Sequence, residues 1–189
     1  SPTSGLWTPP RCSHPQTDRS QGFAKRRGSA VLAPTEPPAR HAMSTTPARP
    51  VPRPRSDFRW FLPIQTRWSD NDQYGHLNNV VYYSYFDTAV NVFLIEEAGM
   101  QPLVSPWMGL VVDTRCSYFA PAGYPDALEA GITFGERGRS SLRYEIGIFL
   151  KGGETTIAHG HFVHVYVDAQ NRRLIPLPDD LAAAVTRFA

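Results

Sequence analysis

The chain has 189 residues, of which 41% are hydrophobic and 12% aromatic, so it is long enough for one domain of ordinary size with a true core. Its net charge of +2 is unevenly distributed, because residues 1–55 carry nine Lys or Arg against two acids and the remaining residues have a net charge of −5. Phosphate binding needs clustered cations on the folded part of a protein, so this distribution argues against a nucleic-acid partner.

Residues 1–55 hold 11 of the 18 prolines and show no periodic apolar pattern. Such a segment buries too little surface to offset the entropy of ordering it, which predicts a disordered tail before a domain at residues 56–189. Met43 lies inside this tail. One interpretation makes Met43 the natural start and residues 1–42 an upstream artefact, and another makes the Arg-rich segment a transit peptide. The prolines oppose the amphipathic helix of a transit peptide, which favours the artefact or a plain tail.

The domain begins with an apolar strand at residues 58–68, a polar loop at 69–77 and a long helix at 78–98. The helix is apolar around most of its circumference, which is typical of a buried helix. The apolar period then changes to two, and it predicts strands at residues 109–119, 127–136, 141–150 and 155–167. A short helix at residues 178–188 ends the chain. One antiparallel sheet that wraps around a single long helix buries both apolar surfaces, so the predicted fold class is α+β.

The two ends of the long helix carry typical signals. Asn78 or Asn79 is expected to cap its start, because a short polar side chain there accepts from a free amide of the first turn. Gly99 fits the position just past its end. Asp87 and Asn91 lie one turn apart, and we expect a hydrogen bond between them.

The most informative segment is the loop that leads into this helix. It contains the pattern Gly-His-x-Asn-Asn, followed by Tyr82, and its residues are Gly75, His76, Asn78 and Asn79. Here the sequence resembles the 4-hydroxybenzoyl-CoA thioesterase family of hot-dog proteins, and a weaker similarity lies at residues 118–121 and Asp126. The resemblance spans about residues 60–167. It implies a hot-dog fold, hydrolysis of acyl-CoA without a cofactor or metal, and assembly as a homodimer or homotetramer.

The resemblance also implies that Asp72 is the catalytic carboxylate, either as nucleophile or as general base. Physical chemistry agrees, because a helix start offers free amides and a partial positive charge that polarise a thioester carbonyl. A nearby carboxylate can then attack that carbonyl or activate a water. The amides near Asn79 and Val80 are expected to face the carbonyl, and by weaker analogy the strand near Gly109 supplies a second one.

The other polar residues of the loop receive structural assignments. Gly75, His76 and Asn78 are expected to shape the loop, and Asp70 is interpreted as a turn or surface acid. A further polar turn lies between two predicted strands. The resemblance implies that it can lie near the CoA phosphates, which cations suit, although a solvated turn fits equally well. Its residues are Arg137, Arg139 and Ser140.

His159 and His161 lie two residues apart on one predicted strand and so share a face. Two histidines at this spacing could ligate a metal, but no third ligand has an evident spacing. Hydrogen-bonded strand histidines are therefore the favoured interpretation.

Two rival functions stay open at this point. Hydration or dehydration of an acyl thioester on the same fold would need His76 as a catalytic residue. A non-enzymatic acyl-binding protein would have no need of a carboxylate such as Asp72 beside the thioester.

The cysteines and the hydropathy limit where the protein functions. Cys12 and Cys116 are too few for a disulfide framework, so a reducing compartment, the cytoplasm, is expected. No apolar run approaches the roughly 18 residues of a membrane span. Residues 1–30 lack the apolar centre of a signal peptide, so no membrane partner is predicted.

Overall fold

A computed structural model describes residues 49–189, which form five strands, two helices and two short 3₁₀ turns. The 3₁₀ turns, Arg55–Asp57 and Trp68–Asp70, flank the first strand. The helices and strands in chain order are β1 Trp60–Gln65, α1 Asn79–Ala98, β2 Trp107–Tyr118, β3 Ala127–Arg137, β4 Ser141–Leu150, β5 Ala158–Asp168 and α2 Asp179–Arg187. Each predicted helix and strand is therefore present, with bounds shifted by a few residues at most.

The strands form one antiparallel sheet in the order β1-β3-β4-β5-β2. Gln65 pairs with Ala127 and Tyr118 pairs with Ala158, so the loops that follow β1 and β2 leave the sheet at the same end, which we call the loop end. The β3–β4 turn lies at the opposite end, which we call the turn end, because Ser141 pairs with Val165 near the end of β5. This topology decides which predicted site residues can meet within one chain.

Helix α1 packs on the inner face of the sheet, as the fold class predicts. Its buried residues are Tyr82, Tyr85, Phe86, Ala89, Val90, Phe93, Leu94 and Ala98. A Cβ at Gly160 of β5 would lie 2.5 Å from the ring of Phe86, so glycine is what allows the helix to approach this closely. No described residue covers the far side of α1, where Val80 is 62% exposed and Ile95 is 43% exposed. Within one chain the helix is buried on one face rather than all round. No helix among residues 49–189 is long and apolar enough to cross a membrane.

The two central strands differ in how well their pattern shows the buried face. On β4 the predicted alternation is confirmed, because Leu142, Tyr144, Ile146 and Ile148 are all fully buried. On β5 the residues that face the core belong to the other alternating set, namely Ala158, Gly160, Phe162, His164 and Tyr166. Two small residues and a histidine make that set less apolar. The alternating pattern in the sequence is therefore clearer for the outer face of β5 than for the face that packs against the core.

Residues 53–55, just before the predicted domain boundary at residue 56, bond to the folded domain. The backbone amide of Arg53 donates to the hydroxyl of Thr156 (2.9 Å), and the amide of Arg55 donates to the carbonyl of Glu154 (2.8 Å). The Arg55 guanidinium also lies over the ring of Phe61, 4.1 Å from its centroid. Hydrogen bonds and cation–π contacts rather than apolar burial hold this segment, so hydropathy alone did not reveal it. The rest of the predicted tail, residues 1–48, lies outside the described residues.

Candidate active site

Asp72 is half-buried at the loop end, and hydrogen bonds of its side chain and backbone hold the surrounding turn. Its Oδ1 accepts from the backbone amides of Tyr74 (2.8 Å) and His76 (3.2 Å), and its own amide donates to the His76 carbonyl (2.7 Å). Gly75 completes the turn with φ +79°, a conformation that favours glycine. No group among residues 49–189 donates to Oδ2. One carboxylate oxygen therefore holds the loop, and the other is available for chemistry.

Asp70 ends the 3₁₀ turn Trp68–Asp70, as the turn alternative predicted, but it is buried and is not a surface acid. Its side chain is buried, with a residue exposure of 1%, and it accepts from the backbone amide of Arg67 (2.8 Å) and the hydroxyl of Tyr85 (2.8 Å). The Arg67 guanidinium pairs with it at 2.9 Å, and its carbonyl accepts from the amide of Asn78 (2.8 Å). Burial alone would raise the pKa of Asp70, but the hydrogen bonds from Arg67 and Tyr85 outweigh it and hold the pKa below its usual value. Asp70 thus joins the loop to both β1 and α1.

The start of α1 presents one free amide rather than two. Asn78 is the N-cap, as predicted, and its side chain accepts from the Val80 amide at 3.2 Å. That bond occupies the Val80 amide, and Val80 is not part of the cavity wall at this end. The Asn79 amide has no acceptor within the part of the chain that the structure describes, and Asn79 does line the cavity. Of the two predicted carbonyl-polarising amides, the structure leaves that of Asn79 available.

A cavity of about 480 Å³ opens beside Asp72 and the start of α1, and we call it the Asp72 cavity. Its wall consists of Asp72, His76, Leu77, Asn79, Tyr82 and Tyr118, together with residues 119–122. The hydroxyl of Tyr118 donates to the carbonyl of Asn79 (3.0 Å), which ties the end of β2 to the start of the helix. The Tyr118 and Tyr82 rings meet edge to face at 5.1 Å. The cavity therefore combines a carboxylate, a helix start and an aromatic wall.

His76 contributes to the loop through its backbone rather than its side chain. Its amide and carbonyl both bond to Asp72, but its imidazole is exposed and makes no hydrogen bond to any residue from 49 to 189. The predicted structural role is therefore confined to the main chain. The imidazole lines the Asp72 cavity, where it can reach a bound molecule.

Cys116 is the other nucleophilic side chain near this cavity. It lies on β2 and is partly buried against the core. Burial raises the pKa of its thiol to about 11, so the reactive thiolate is scarce at neutral pH. Burial likewise raises the pKa of the Tyr82 hydroxyl to about 12. Neither group competes with Asp72 for the role of anionic nucleophile or base.

The remaining predicted site residues lie far from Asp72 within one chain. Gly109 is at the start of β2, towards the turn end of the sheet, because it pairs with Tyr166 of β5. Arg137, Arg139 and Ser140 form the β3–β4 turn and lie at the same end. The antiparallel topology separates them from the loop end by the length of the strands. They can approach Asp72 only in an assembly of two chains.

Gly109 lines a second cavity, of about 360 Å³, which we call the His164 cavity. Its wall includes Asp87, Asn91, Leu94, Trp107, Gly109 and His164, together with part of the loop between α1 and β2. Asp87 and Asn91 make the predicted hydrogen bond at 3.2 Å. Burial lowers the pKa of His164 to about 4, so its imidazole is neutral at pH 7. Sequence analysis missed this residue, because a single histidine between apolar strand residues gives no motif.

The outer face of the sheet carries His159 and His161, and both have hydrogen-bond partners, as favoured. His159 meets Glu145 at 2.9 Å, and His161 meets Asp113 at 2.7 Å and Arg143 at 2.8 Å. Burial opposes the ionisation of Glu145, but hydrogen bonds from His159 and Arg143 outweigh it and lower its pKa to about 2. Among residues 49–189 no group of three or more potential ligands is placed to hold a metal ion.

A polar groove adjoins the Asp72 cavity and was also missed. It shares Tyr118 and Phe119 with that cavity, and Arg49, Arg115 and Ser117 line its other parts. Neither arginine forms an ion pair with any residue in the described range. Arg115 and Arg49 are far apart in sequence, so no local pattern could indicate that they share a groove.

Comparisons with known proteins bear on the family and the fold. Residues 66–185 match the family described as the thioesterase-like superfamily. The PA5185 protein of Pseudomonas aeruginosa has a similar structure, with 43% identity and a TM-score of 0.70 over 72% of this chain and 96% of that chain. Slr0204 of Synechocystis, a 1,4-dihydroxy-2-naphthoyl-CoA thioesterase, shares the fold, with 18% identity and a TM-score of 0.60 over 67% of this chain and 94% of that chain.

Among curated proteins, the chain is similar to the uncharacterized protein YsmA of Bacillus subtilis. The identity is 26% over 88 residues, which are 47% of this chain and 59% of that protein. The match thus spans less than two thirds of that relative. The hot-dog fold predicted from the sequence is confirmed by the structural matches and by the five-stranded antiparallel sheet with its central helix.

Proposed function

Because the chain belongs to the thioesterase-like superfamily, we propose that it hydrolyses acyl-CoA thioesters to a carboxylic acid and free CoA, with Asp72 as the catalytic carboxylate. One observation carries this proposal. Asp72 keeps one carboxylate oxygen free of hydrogen bonds from residues 49–189, in the cavity that also receives the free amide at the start of α1. The narrower assignment to 4-hydroxybenzoyl-CoA thioesterases depends on the Gly75–Asn79 motif and is part of the proposal.

The chemistry follows from these two groups. The thioester carbonyl lies against the Asn79 amide, and the helix dipole favours the negative charge that develops on its oxygen. Asp72 Oδ2 then attacks the carbonyl carbon and displaces the CoA thiolate, and water hydrolyses the resulting anhydride. Alternatively, Asp72 removes a proton from a water that attacks directly. Either route consumes one water and releases one carboxylic acid and one thiol.

We propose that the active unit is at least a homodimer formed through β2. This strand lies at the edge of the sheet and exposes Leu110, Val111 and Val112, and an uncovered apolar edge tends to pair. Light scattering at micromolar concentration tests this proposal. A mass of two or four chains is expected, and a monomer would contradict it.

We place the CoA phosphates in one of two regions. The predicted one is the β3–β4 turn with Arg137, Arg139 and Ser140, which would have to come from the partner protomer. The other is the groove of Arg49 and Arg115, which adjoins the Asp72 cavity in the same chain. Both offer guanidinium groups, which suit phosphate.

A second candidate function is hydration or dehydration of an acyl thioester. It is favoured by the exposed imidazole of His76, which lines the Asp72 cavity without a partner in the described residues. In that case His76 is the catalytic base and Asp72 only shapes the loop. A third candidate, a non-catalytic acyl-binding protein, needs neither group.

A panel of acyl-CoA substrates, monitored for free thiol, separates the three functions. Asp72→Asn keeps the Oδ1 acceptor that holds the turn but removes the nucleophilic oxygen, so thiol release should fall by at least about two orders of magnitude. Asp180→Asn, on the exposed start of α2, is the matched control and should retain full activity. Near-normal turnover by Asp72→Asn with an inactive His76→Ala protein would transfer the chemistry to His76.

A further inference from the structure

The free amide of Asn79 lies between two peptide groups that are both held by hydrogen bonds. Before it, the amide of Asn78 donates to the carbonyl of the buried Asp70 at 2.8 Å. After it, the Asn79 carbonyl accepts from the hydroxyl of Tyr118 at 3.0 Å. The peptide group that carries the free N–H is therefore anchored on both sides.

Tyr118 connects the start of α1 to the sheet. It lies at the end of β2, 39 residues beyond Asn79 in the chain. A second link, from the amide of Leu77 to the carbonyl of Ala122 (2.7 Å), holds the loop before the helix but not the helix itself. Helix ends fray unless a contact holds them. The Tyr118 hydroxyl is therefore the contact that fixes the first turn of α1 against this wall of the Asp72 cavity.

The side chain of Tyr118 is itself held in a fixed position. Its ring meets that of Tyr82 edge to face at 5.1 Å, and Tyr82 is 4% exposed. Burial of part of the ring raises the pKa of the Tyr118 hydroxyl above its usual value, so the hydroxyl keeps its proton at neutral pH. A protonated phenol on a packed ring is a hydrogen-bond donor with a defined direction.

A fixed amide matters for the proposed chemistry. A donor that is already in place where an oxyanion develops stabilises it without reorganisation during the reaction. Asn79 lines the Asp72 cavity, and its amide has no acceptor among the described residues. A displacement of about 1 Å at such a group can lower the rate by about two orders of magnitude. A residue that holds the amide thus contributes to the rate without touching the reacting atoms.

We propose that Tyr118 is a positioning residue for thioester hydrolysis and that its hydroxyl holds the Asn79 amide where this amide polarises the thioester carbonyl. This inference rests on the proposed function. It gives the hydroxyl a role separate from that of the ring, which contributes to the aromatic wall of the cavity. Removal of the hydroxyl alone therefore tests it.

Tyr118→Phe keeps the ring and removes the hydroxyl. With benzoyl-CoA or hexanoyl-CoA as substrate, kcat should fall about tenfold while KM stays within about twofold, because the variant loosens the donor rather than deleting it. Tyr124→Phe is the matched control, since Tyr124 lies at the same end of the sheet but outside the cavity wall, and it should keep the wild-type kcat. An unchanged kcat in Tyr118→Phe would overturn the proposal.

Residue 79 offers a variant that deletes the amide and keeps the helix. Asn79 is the first residue of α1, a position that accommodates proline, and the ψ of 135° at Asn78 suits a residue that precedes proline. Asn79→Pro has no N–H at this position. Its reference is Asn79→Ala, which lacks the same side chain but keeps the N–H. The kcat of Asn79→Pro should be lower than that of Asn79→Ala by about two orders of magnitude, the scale of one oxyanion donor.

Double variants decide whether Tyr118 acts through this amide. If it does, Tyr118→Phe should lower kcat about tenfold in the Asn79→Ala background and change it by less than about twofold in the Asn79→Pro background. A general weakening of the fold would lower kcat equally in both backgrounds. An equal loss in the two backgrounds would therefore overturn the proposal.

The carbonyl stretch of a bound thioester separates failure of this inference from failure of the proposed hydrolysis. Benzoyl-CoA labelled with carbon-13 at the thioester carbonyl, bound to full-length Asp72→Asn, should show a lower infrared stretching frequency than in solution. Addition of Tyr118→Phe should reverse part of that shift, because the amide is then less well placed.

If the wild-type protein hydrolyses neither thioester but Tyr118→Phe reduces this shift, the hydrolysis proposal fails and the role of Tyr118 in placing the amide stands. Hydrolysis together with a carbonyl stretch that Tyr118→Phe leaves unchanged would remove the role of Tyr118 and leave the hydrolysis proposal intact.

Discussion

The two cavities of this domain use polar side chains in opposite ways. Asp72 is half-buried and shares its carboxylate between backbone amides and open space, whereas His164 is buried among aromatic rings with no partner in residues 49–189. An anion near solvent and a helix start is suited to react, because water and the amides stabilise its charge. A neutral, desolvated imidazole resists protonation, because burial has removed the water that would stabilise its charged form. The contrast is between a partly solvated anion at one end of the sheet and a desolvated, neutral imidazole at the other.

The largest expected effect is a loss of stability at acidic pH that results from the burial of His164. Burial lowers its pKa from an ordinary 6.5 to about 4, so below pH 6.5 the unfolded chain binds a proton that the folded chain does not. The free energy of unfolding should therefore fall as the pH drops from 6.5 to 4, by roughly 3 kcal/mol in total. Urea unfolding of the wild type and of His164→Phe across this range measures the difference.

The difference in the free energy of unfolding between the wild type and His164→Phe isolates the contribution of His164. Glu145, whose pKa is lowered to about 2, stabilises the fold above pH 4.5 and loses that contribution only below it, and it does so equally in both proteins. If the free energies of unfolding of the wild type and of His164→Phe changed in parallel between pH 4 and 6.5, water or a partner chain would stabilise the charged form of His164. The contrast between the two cavities would then not hold.

The next largest expected effect is a difference in stability between variants of Asp70 and Asp72, the two acids of the loop. Asp70→Asn weakens buried, charge-assisted bonds to Arg67 and Tyr85, and we expect a loss of about 2 kcal/mol in the free energy of unfolding at pH 7. Asp72→Asn keeps its turn and should change stability by less than about 0.5 kcal/mol while it abolishes thiol release. Chemical denaturation of both variants at one pH provides the comparison. Equal losses of stability would show that Asp72 is as structural as Asp70.

The smallest effect concerns the two regions proposed to bind the CoA phosphates. Arg115→Gln removes a cation near Tyr118, so the KM for acyl-CoA should rise about twofold to fivefold with kcat little changed, on the scale of one exposed ionic contact. The same variant should leave unchanged the KM for an N-acetylcysteamine thioester, which has no phosphate. Arg139→Gln is the matched test of the β3–β4 turn. A rise in KM confined to Arg139→Gln would move the phosphates to that turn.

The sequence by itself determined the features that depend on local geometry or on a repeated pattern. The period of two predicts the strands, the caps Asn78 and Gly99 mark the helix, and Gly75 marks the turn that presents Asp72. These succeed because a cap, a turn or an amphipathic face is formed by residues that are neighbours in the chain. The order of the elements predicted the α+β class, and the resemblance at the helix start implied the hot-dog fold.

Only the tertiary structure decided the roles that depend on distant residues. Asp70 looks like a surface acid until Tyr85, fifteen residues away, meets it under the loop. Gly109 has no evident position relative to Asp72 in the sequence, and only the pairing of β2 with β5 sets it against His164 at the opposite end of the sheet. Burial and the absence of a hydrogen-bond partner are properties of the packed surroundings, and no pattern within a single strand encodes them.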